Sequence, residues 1–221
     1  GLSDEWDFEK DLLKKKPEIS IYAFDHTVNN LFWINRLKKD IIHFFLLKKL
    51  RFKKILNIFK YLDYISFFDN KKRFHIQKKI GITNKDYDVN FIINNLLKDK
   101  KKILLKIDIE GDEFNILDQI LKNENLLDGL LIEFHDINQN NNLSKINNFL
   151  QNLKYLKLIH IHANNYAPPD KNGDPTVIEM TFTNENLIEK FEKNNEKTYP
   201  IENLDVKNRK RLPDISIKFE M

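Results

Sequence analysis

Two carboxylates end an apolar run: Ile103-Leu104-Leu105-Lys106-Ile107 leads straight into Asp108-Ile109-Glu110-Gly111. Acids delivered together at a strand's end can take a proton or hold a hydroxyl. A second run, Leu130-Leu131-Ile132-Glu133-Phe134-His135, also finishes in polar groups. A third, Leu158 to Ala163, carries His160 and His162 and is followed by Asn164 and Asn165. Histidine titrates near neutrality, so His135 is the favoured general base. His160 and His162, two apart on a strand, point to one face. With a carboxylate they offer a possible divalent-metal set. That spacing is a looser signal than a helical His-x-x-x-His pair, so no metal ligand is assigned. A plainer account competes for Asp108 and Glu110: they cap the next helix and complement its dipole. His26, His43 and His75 read as surface or packing residues, and so do Trp6 and Trp33.

The elements that must position these groups can be read in order. Ser3 or Asp4 can cap a helix through Trp6, Phe8, Leu12 and Leu13, ended by Pro17. Ile19 to Phe24 makes a short strand stopping at Asp25. A helix, a strand and an acid at the strand's tip form the dinucleotide-type pattern, in which the acid accepts ribose hydroxyls; a solvated strand end is the alternative. Val28 to about Leu62 is helical and studded with Lys and Arg. It reads as an insertion whose lysines snorkel from a packed face, with a basic surface for an anionic partner as the other reading. Tyr64, Ile65, Phe67 and Phe68 read as a strand, Asp69-Asn70 as a turn and Phe74 to Ile82 as a second strand, making a hairpin. Phe91 to Leu97 is a short helix before the central strand, which reads as buried and parallel, with a helix from Phe114 on. A helix over Leu143 to Leu153 follows the Asn138–Asn142 loop. Leu158 to Ala163 and Val177 to Phe182, joined by a turn-rich loop, form an antiparallel pair closing one edge of the sheet. A polar helix spans Leu187 to Phe191, and Tyr199 to Met221 has no assigned element.

Composition narrows the class. A length of 221 residues, 41% hydrophobic and 32% charged, suits one α/β domain over residues 1–221. The net charge of +4 is mild and spread over many surfaces, which argues against nucleic acid as a dedicated partner. With no cysteine, disulfides, thiolate metal sites and a cysteine nucleophile are excluded. No window of about 18 uncharged apolar residues occurs, so a cytoplasmic protein with at most peripheral membrane contact is expected.

Three stretches carry a resemblance. Gly1-Leu2-Ser3-Asp4-Glu5-Trp6-Asp7-Phe8-Glu9, Ile21 to Thr27, and Leu104-Leu105-Lys106-Ile107-Asp108-Ile109-Glu110-Gly111-Asp112-Glu113 resemble the FkbM-type methyltransferases. The later Ile159 to Tyr166 and Ile178-Glu179-Met180-Thr181-Phe182 are similar to that group's closing strands. The resemblance implies an S-adenosylmethionine-dependent O-methyltransferase with a Rossmann-like class I fold. Its sheet would be mostly parallel and seven-stranded, with an antiparallel last strand and helices on both faces. The family's first strand would precede Gly1. By position, Gly1 and Ser3 would receive the methionine part of the cofactor. Asp25 with Thr27 would hold the ribose. Asp108 would face cofactor and acceptor, and the residue reading adds Glu110 on the cofactor side and His135 and His162 as catalytic groups. The implied acceptor is a hydroxyl of a sugar, glycolipid or polysaccharide precursor. Lys48, Lys49, Lys53 and Lys54 could hold an anionic portion of it. Two rivals stand: a non-catalytic binding module that keeps the fold, and a dinucleotide-dependent oxidoreductase, for which no Gly-x-Gly-x-x-Gly appears.

Overall fold

The computed structural model describes residues 2, 5–46, 56–139, 141–190 and 198–218. The chain divides into two compact units, Gly1–Ile80 and Gly81–Met221. Gly1, Ser3, Asp4 and the lysines at 48, 49, 53 and 54 lie outside the described residues.

In the first unit, α1 (Asp7–Lys15) starts after Trp6, which makes no side-chain cap, rather than at Ser3 or Asp4. Asp7 and Glu9 in its first turn and Lys14 and Lys15 in its last complement the helix dipole instead. Strand β1 (Ile21–Phe24) leads to α2 (Asn30–Leu46), where the Asn29 side chain accepts the Phe32 N–H at 3.0 Å. Helix α3 (Leu56–Phe67) and strand β2 (Arg73–Ile76) follow, and β2 pairs with β1 in parallel. A parallel partner needs a long crossover, and α2 and α3 supply it.

The expected hairpin is therefore overturned. Tyr64, Ile65 and Phe67 belong to α3, not to a strand. Their β-branched and aromatic character favours a strand locally, but Tyr61, Tyr64 and Phe68 recur at helical spacing and face the core. The Asp69-Asn70 turn instead joins helix to strand. Asp69 Oδ1 accepts the N–H groups of Lys71, Lys72 and Arg73, and its Oδ2 takes the Arg73 guanidinium. Those bonds, the Lys71 amide first, hold its carboxyl far below the usual carboxylate range.

Leu2, Trp6, Ile21, Val28, Trp33, Phe67 and Phe68 form the core of this unit. Trp6 and Trp33 are buried packing residues, each with an edge or tilted contact to Tyr64. Apolar side chains also remain on the outer faces of α2 and α3, including Leu31, Ile41, Phe59 and Leu62. No helix among the described residues is long and apolar enough to cross a membrane.

His75 makes this unit acid-sensitive. Its Nε2–H donates to the Asp25 carbonyl at 3.0 Å and its Nδ1 accepts the Tyr64 hydroxyl at 2.5 Å. Burial lowers its pKa, outweighing the Asp25 carbonyl and charge. A histidine with a depressed folded pKa leaves stability intact above the unfolded value, about 6.5, and loses it as pH falls below that. Urea midpoints should therefore fall from about pH 7.5 to about pH 5, and fall less in His75→Gln. An equal fall in both proteins would contradict this.

In the second unit, α4 (Val89–Phe91) runs into a π-helical turn (Ile92–Leu96). Then come β3 (Ile103–Ile107), α5 (Glu113–Asn123), β4 (Leu127–Phe134), α6 (Asn142–Asn152), β5 (Leu156–Ala163) and β6 (Ile178–Asn184). The sheet order is β3-β4-β6-β5, with β3 parallel to β4 and β6 antiparallel to both its neighbours. The fold is thus α/β with a mixed four-stranded sheet and six α-helices among the described residues. The antiparallel β5–β6 pair stands as expected, with β5 at the edge. Among the described residues, β1 and β2 form a two-stranded ladder in the first unit, and β7 (Thr198–Tyr199) pairs with β8 (Ile217–Lys218) in the second. Strand β3 is an edge of this sheet rather than a wholly buried strand, with Leu104 exposed; β4 and β6 are the inner strands. The polar helix expected at Leu187–Phe191 is a 3-10 turn at Glu185–Leu187, and residues 188–190 are not helical.

One face of this sheet is apolar because β6 alternates along its length and β4 from Leu130 to Phe134. Leu130, Ile132, Phe134, Ile178, Met180 and Phe182 are buried, as are Ile116 and Ile120 of α5 and Ile146 and Phe149 of α6; Phe114 of α5 meets Phe134, and Phe149 meets Phe182 edge-on. The opposite face carries Leu131, Glu133, Glu179, Thr181 and Thr183, all half-buried.

Candidate functional site

The polar groups of the second unit gather at the carboxyl ends of β3 and β4. Ile107 pairs with Ile132, so Asp108, one residue further, comes level with Glu133. The chain then turns sharply into α5. Glu110 adopts φ 55° and Gly111 φ 99°, the second a conformation that L side chains rarely take. Gly111→Ala should cost about 1 kcal/mol in urea unfolding, through backbone strain alone, since no atom lies within 4 Å of an added Cβ. An unchanged midpoint would contradict it.

Neither Asp108 nor Glu110 caps α5, and the N-cap residue, Asp112, makes no side-chain cap bond. The turn is folded around Glu113 instead. Its Oε1 accepts the N–H of Ile109 at 3.2 Å and of Gly111 at 3.1 Å. The same oxygen accepts Nδ1–H of His135 at 2.8 Å. Glu113 is wholly buried, and its Oε2 has no partner in this structure.

His135 Nε2 lies 3.6 Å from Glu110 Oε2 and 3.7 Å from Glu133 Oε1. The Glu113 hydrogen bond, opposed by burial and aided by the charges of Glu113, Glu133 and Glu110, raises its pKa to about 9. At neutral pH it is therefore a cation and a donor. The base role expected of His135 does not fit a ring that is already protonated. Glu133 fits it better. Burial first, then the charge of Asp108, raises its pKa, while the Asn164 hydrogen bond lowers it. Asn164 Nδ2 donates to Glu133 Oε1 at 2.7 Å, and the Asn164 side-chain Oδ1 accepts Tyr166 N–H at 2.8 Å.

Thus Asp108, Glu110, Glu133, His135 and Asn164 are brought together. His162 is not. It lies level with Glu179 of β6, which in turn pairs with Glu133, so two strand spacings, roughly 10 Å, separate it from β4. His162 is buried, its Nδ1 is 3.4 Å from Glu179 Oε2, and its Nε2 has no partner. The Glu179 hydrogen bond raises its pKa against burial. His160 donates to Asp205 at 2.6 Å. Asn165 is structural, tying the tail through bonds to Arg209, Leu212 and Pro213 carbonyls. An open hollow lined by Asn165, Pro168, Asp174 and Leu212 includes none of the clustered groups.

Glu113 is the residue that reasoning from the sequence missed. Its signal is visible: it precedes Ile116, Leu117 and Ile120 by three, four and seven positions, on the buried stripe of α5. A glutamate in that stripe needs a buried partner.

In the first unit, Asp25 stands at the tip of β1 with its carboxylate already engaged. Oδ1 accepts Thr27 N–H at 2.7 Å, Thr27 Oγ–H at 2.6 Å and Val28 N–H at 3.4 Å, and Oδ2 accepts Leu2 N–H at 2.9 Å. Asp25 is thus fixed in place, and a ribose diol would have to share or replace one of these donors. Compared with protein-family models, with curated proteins and with solved structures, the chain matches none.

Proposed function

We propose that this chain is an S-adenosylmethionine-dependent O-methyltransferase acting on a hydroxyl of a saccharide or lipid-linked saccharide precursor. The observation that carries it is the gathering of Asp108, Glu133 and His135 at the carboxyl ends of two adjacent parallel strands. Ligands of open α/β sheets bind there. The resemblance of the stretches around Asp25 and Asp108 to FkbM-type enzymes supplies the reaction class.

A sulfonium donor, when bound, brings an already activated methyl group. The protein then has to position the acceptor and take one proton. Glu133 is the proton acceptor in this reading, oriented by Asn164, with Asp108 holding the acceptor hydroxyl. His135, a cation beside them, steadies negative charge as it forms. Asp25 keeps the ribose role, exchanging its long Val28 contact for a ligand hydroxyl.

One observation favours a second reading, a binding module without catalysis: the Asp25 carboxylate is already occupied by donors of its own chain. Labelled methyl donor, incubated with the chain and a panel of hydroxyl-bearing nucleotide sugars and lipid-linked saccharides, separates the two. Label recovered as an alkali-stable ether supports the enzyme. A folded chain that binds saccharide but neither binds nor consumes donor supports the module.

A further inference from the structure

Four carboxyl groups, from Asp108, Glu110, Glu113 and Glu133, surround the single imidazole of His135. One ligand atom each from Asp108, Glu133 and His135 lies within 4.8 Å of the others. We propose that these three residues bind a divalent cation of the Mn²⁺ or Mg²⁺ type, through one carboxylate oxygen each of Asp108 and Glu133 and through Nε2 of His135, whose proton passes to solvent as the ion binds.

The donor chemistry fits. Two carboxylate oxygens and one imidazole suit a borderline-hard cation, and three protein ligands leave positions for water or a ligand hydroxyl. In an octahedral shell with bonds of about 2.1 Å, ligand atoms stand about 3.0 to 4.2 Å apart, so small side-chain rotations close the observed spacing. The three ligands come from the ends of β3 and β4, and all three are half-buried.

A second observation is independent of that spacing. Glu113 is wholly buried, takes the Nδ1–H of His135, and has a second oxygen with no partner. A histidine that ligates a metal nearly always gives its other ring N–H to such a carboxylate, which fixes the ring with its free nitrogen toward the ion. Here Glu113 is tied to the ring and to the turn amides of Ile109 and Gly111, so it holds the ring and the turn together. His160 and His162, which the sequence offered only as a possible metal set, have other partners, in Asp205 and Glu179.

Cation binding does not depend on methyl transfer; only its role does. In the O-methyltransferase reading, which this role alone rests on, the ion would replace the His135 proton as the positive charge beside the acceptor and lower the hydroxyl's pKa, leaving the outer oxygen of Glu133 to take the proton.

The test is Mn²⁺ titration of the whole chain followed by electron paramagnetic resonance. One ion per chain is expected, with imidazole-nitrogen coupling in the pulsed spectrum. Asp108→Asn and Glu133→Gln should each weaken binding at least about tenfold, and His135→Gln should abolish the nitrogen coupling. Glu113→Gln should weaken binding about 10- to 100-fold while the coupling remains. Circular dichroism of each variant establishes that it is folded. A folded chain that takes up no Mn²⁺ at about millimolar concentration overturns the proposal. So does bound Mn²⁺ without nitrogen coupling, or coupling that survives His135→Gln. Failure of donor binding in a chain that still binds Mn²⁺ would remove the methyltransferase reading and leave the cation site standing.

Discussion

Glu133→Gln is expected to lower methyl transfer by about 10²- to 10⁴-fold, the range for a lost proton acceptor, while product binding stays within about threefold. The amide keeps the shape of the side chain and can still meet Asn164, which donates to Glu133 Oε1 at 2.7 Å. What it removes is a basic oxygen beside Asp108. Single-turnover transfer from labelled donor gives the rate, and titration with S-adenosylhomocysteine gives the binding. Equal loss in both would mean that Glu133 shapes the site rather than acting in the reaction.

Glu124→Ala is the largest expected loss of stability in the second unit, about 3 kcal/mol. Glu124 is buried, and its carboxylate accepts three successive backbone N–H groups at the start of β5: Lys154 at 3.0 and 3.1 Å, Tyr155 at 3.0 Å and Leu156 at 3.2 Å. Truncation leaves these donors without an acceptor and a hole where the carboxylate stood. Glu124→Gln, which keeps one acceptor oxygen, should lose about half as much in urea unfolding. Two variants with the same midpoint would show that the charged, two-oxygen acceptor, not the hole left by truncation, sets the loss.

The elements most legible in the sequence are those whose local pattern agrees with their packing. Strands β1, β3 and β4 and helices α5 and α6 are readable because apolar runs and stripes end in turn residues. The antiparallel β5–β6 pair is readable from its long turn-rich loop. The segment from Tyr64 to Phe68 misleads because aromatic rings suit a strand locally, whereas the neighbours that decide, Trp6 and Trp33, are remote in sequence. For the site, Asp108, Glu110, Glu133, His135 and Asn164 announce themselves as polar groups at strand ends. Their protonation does not. The imidazole becomes a cation because of Glu113, twenty-two residues earlier, and no spacing rule reveals that distance. His162 misleads for a topological reason: β6 inserts between β4 and β5, so consecutive strand ends are not neighbours.

Calorimetric titration with S-adenosylhomocysteine tests the central claim most directly. The account predicts one site per chain, weakened at least about tenfold by Asp25→Asn and by Asp108→Asn in variants that remain folded. A folded chain that takes up no S-adenosylhomocysteine, or one whose affinity neither substitution changes, would contradict it.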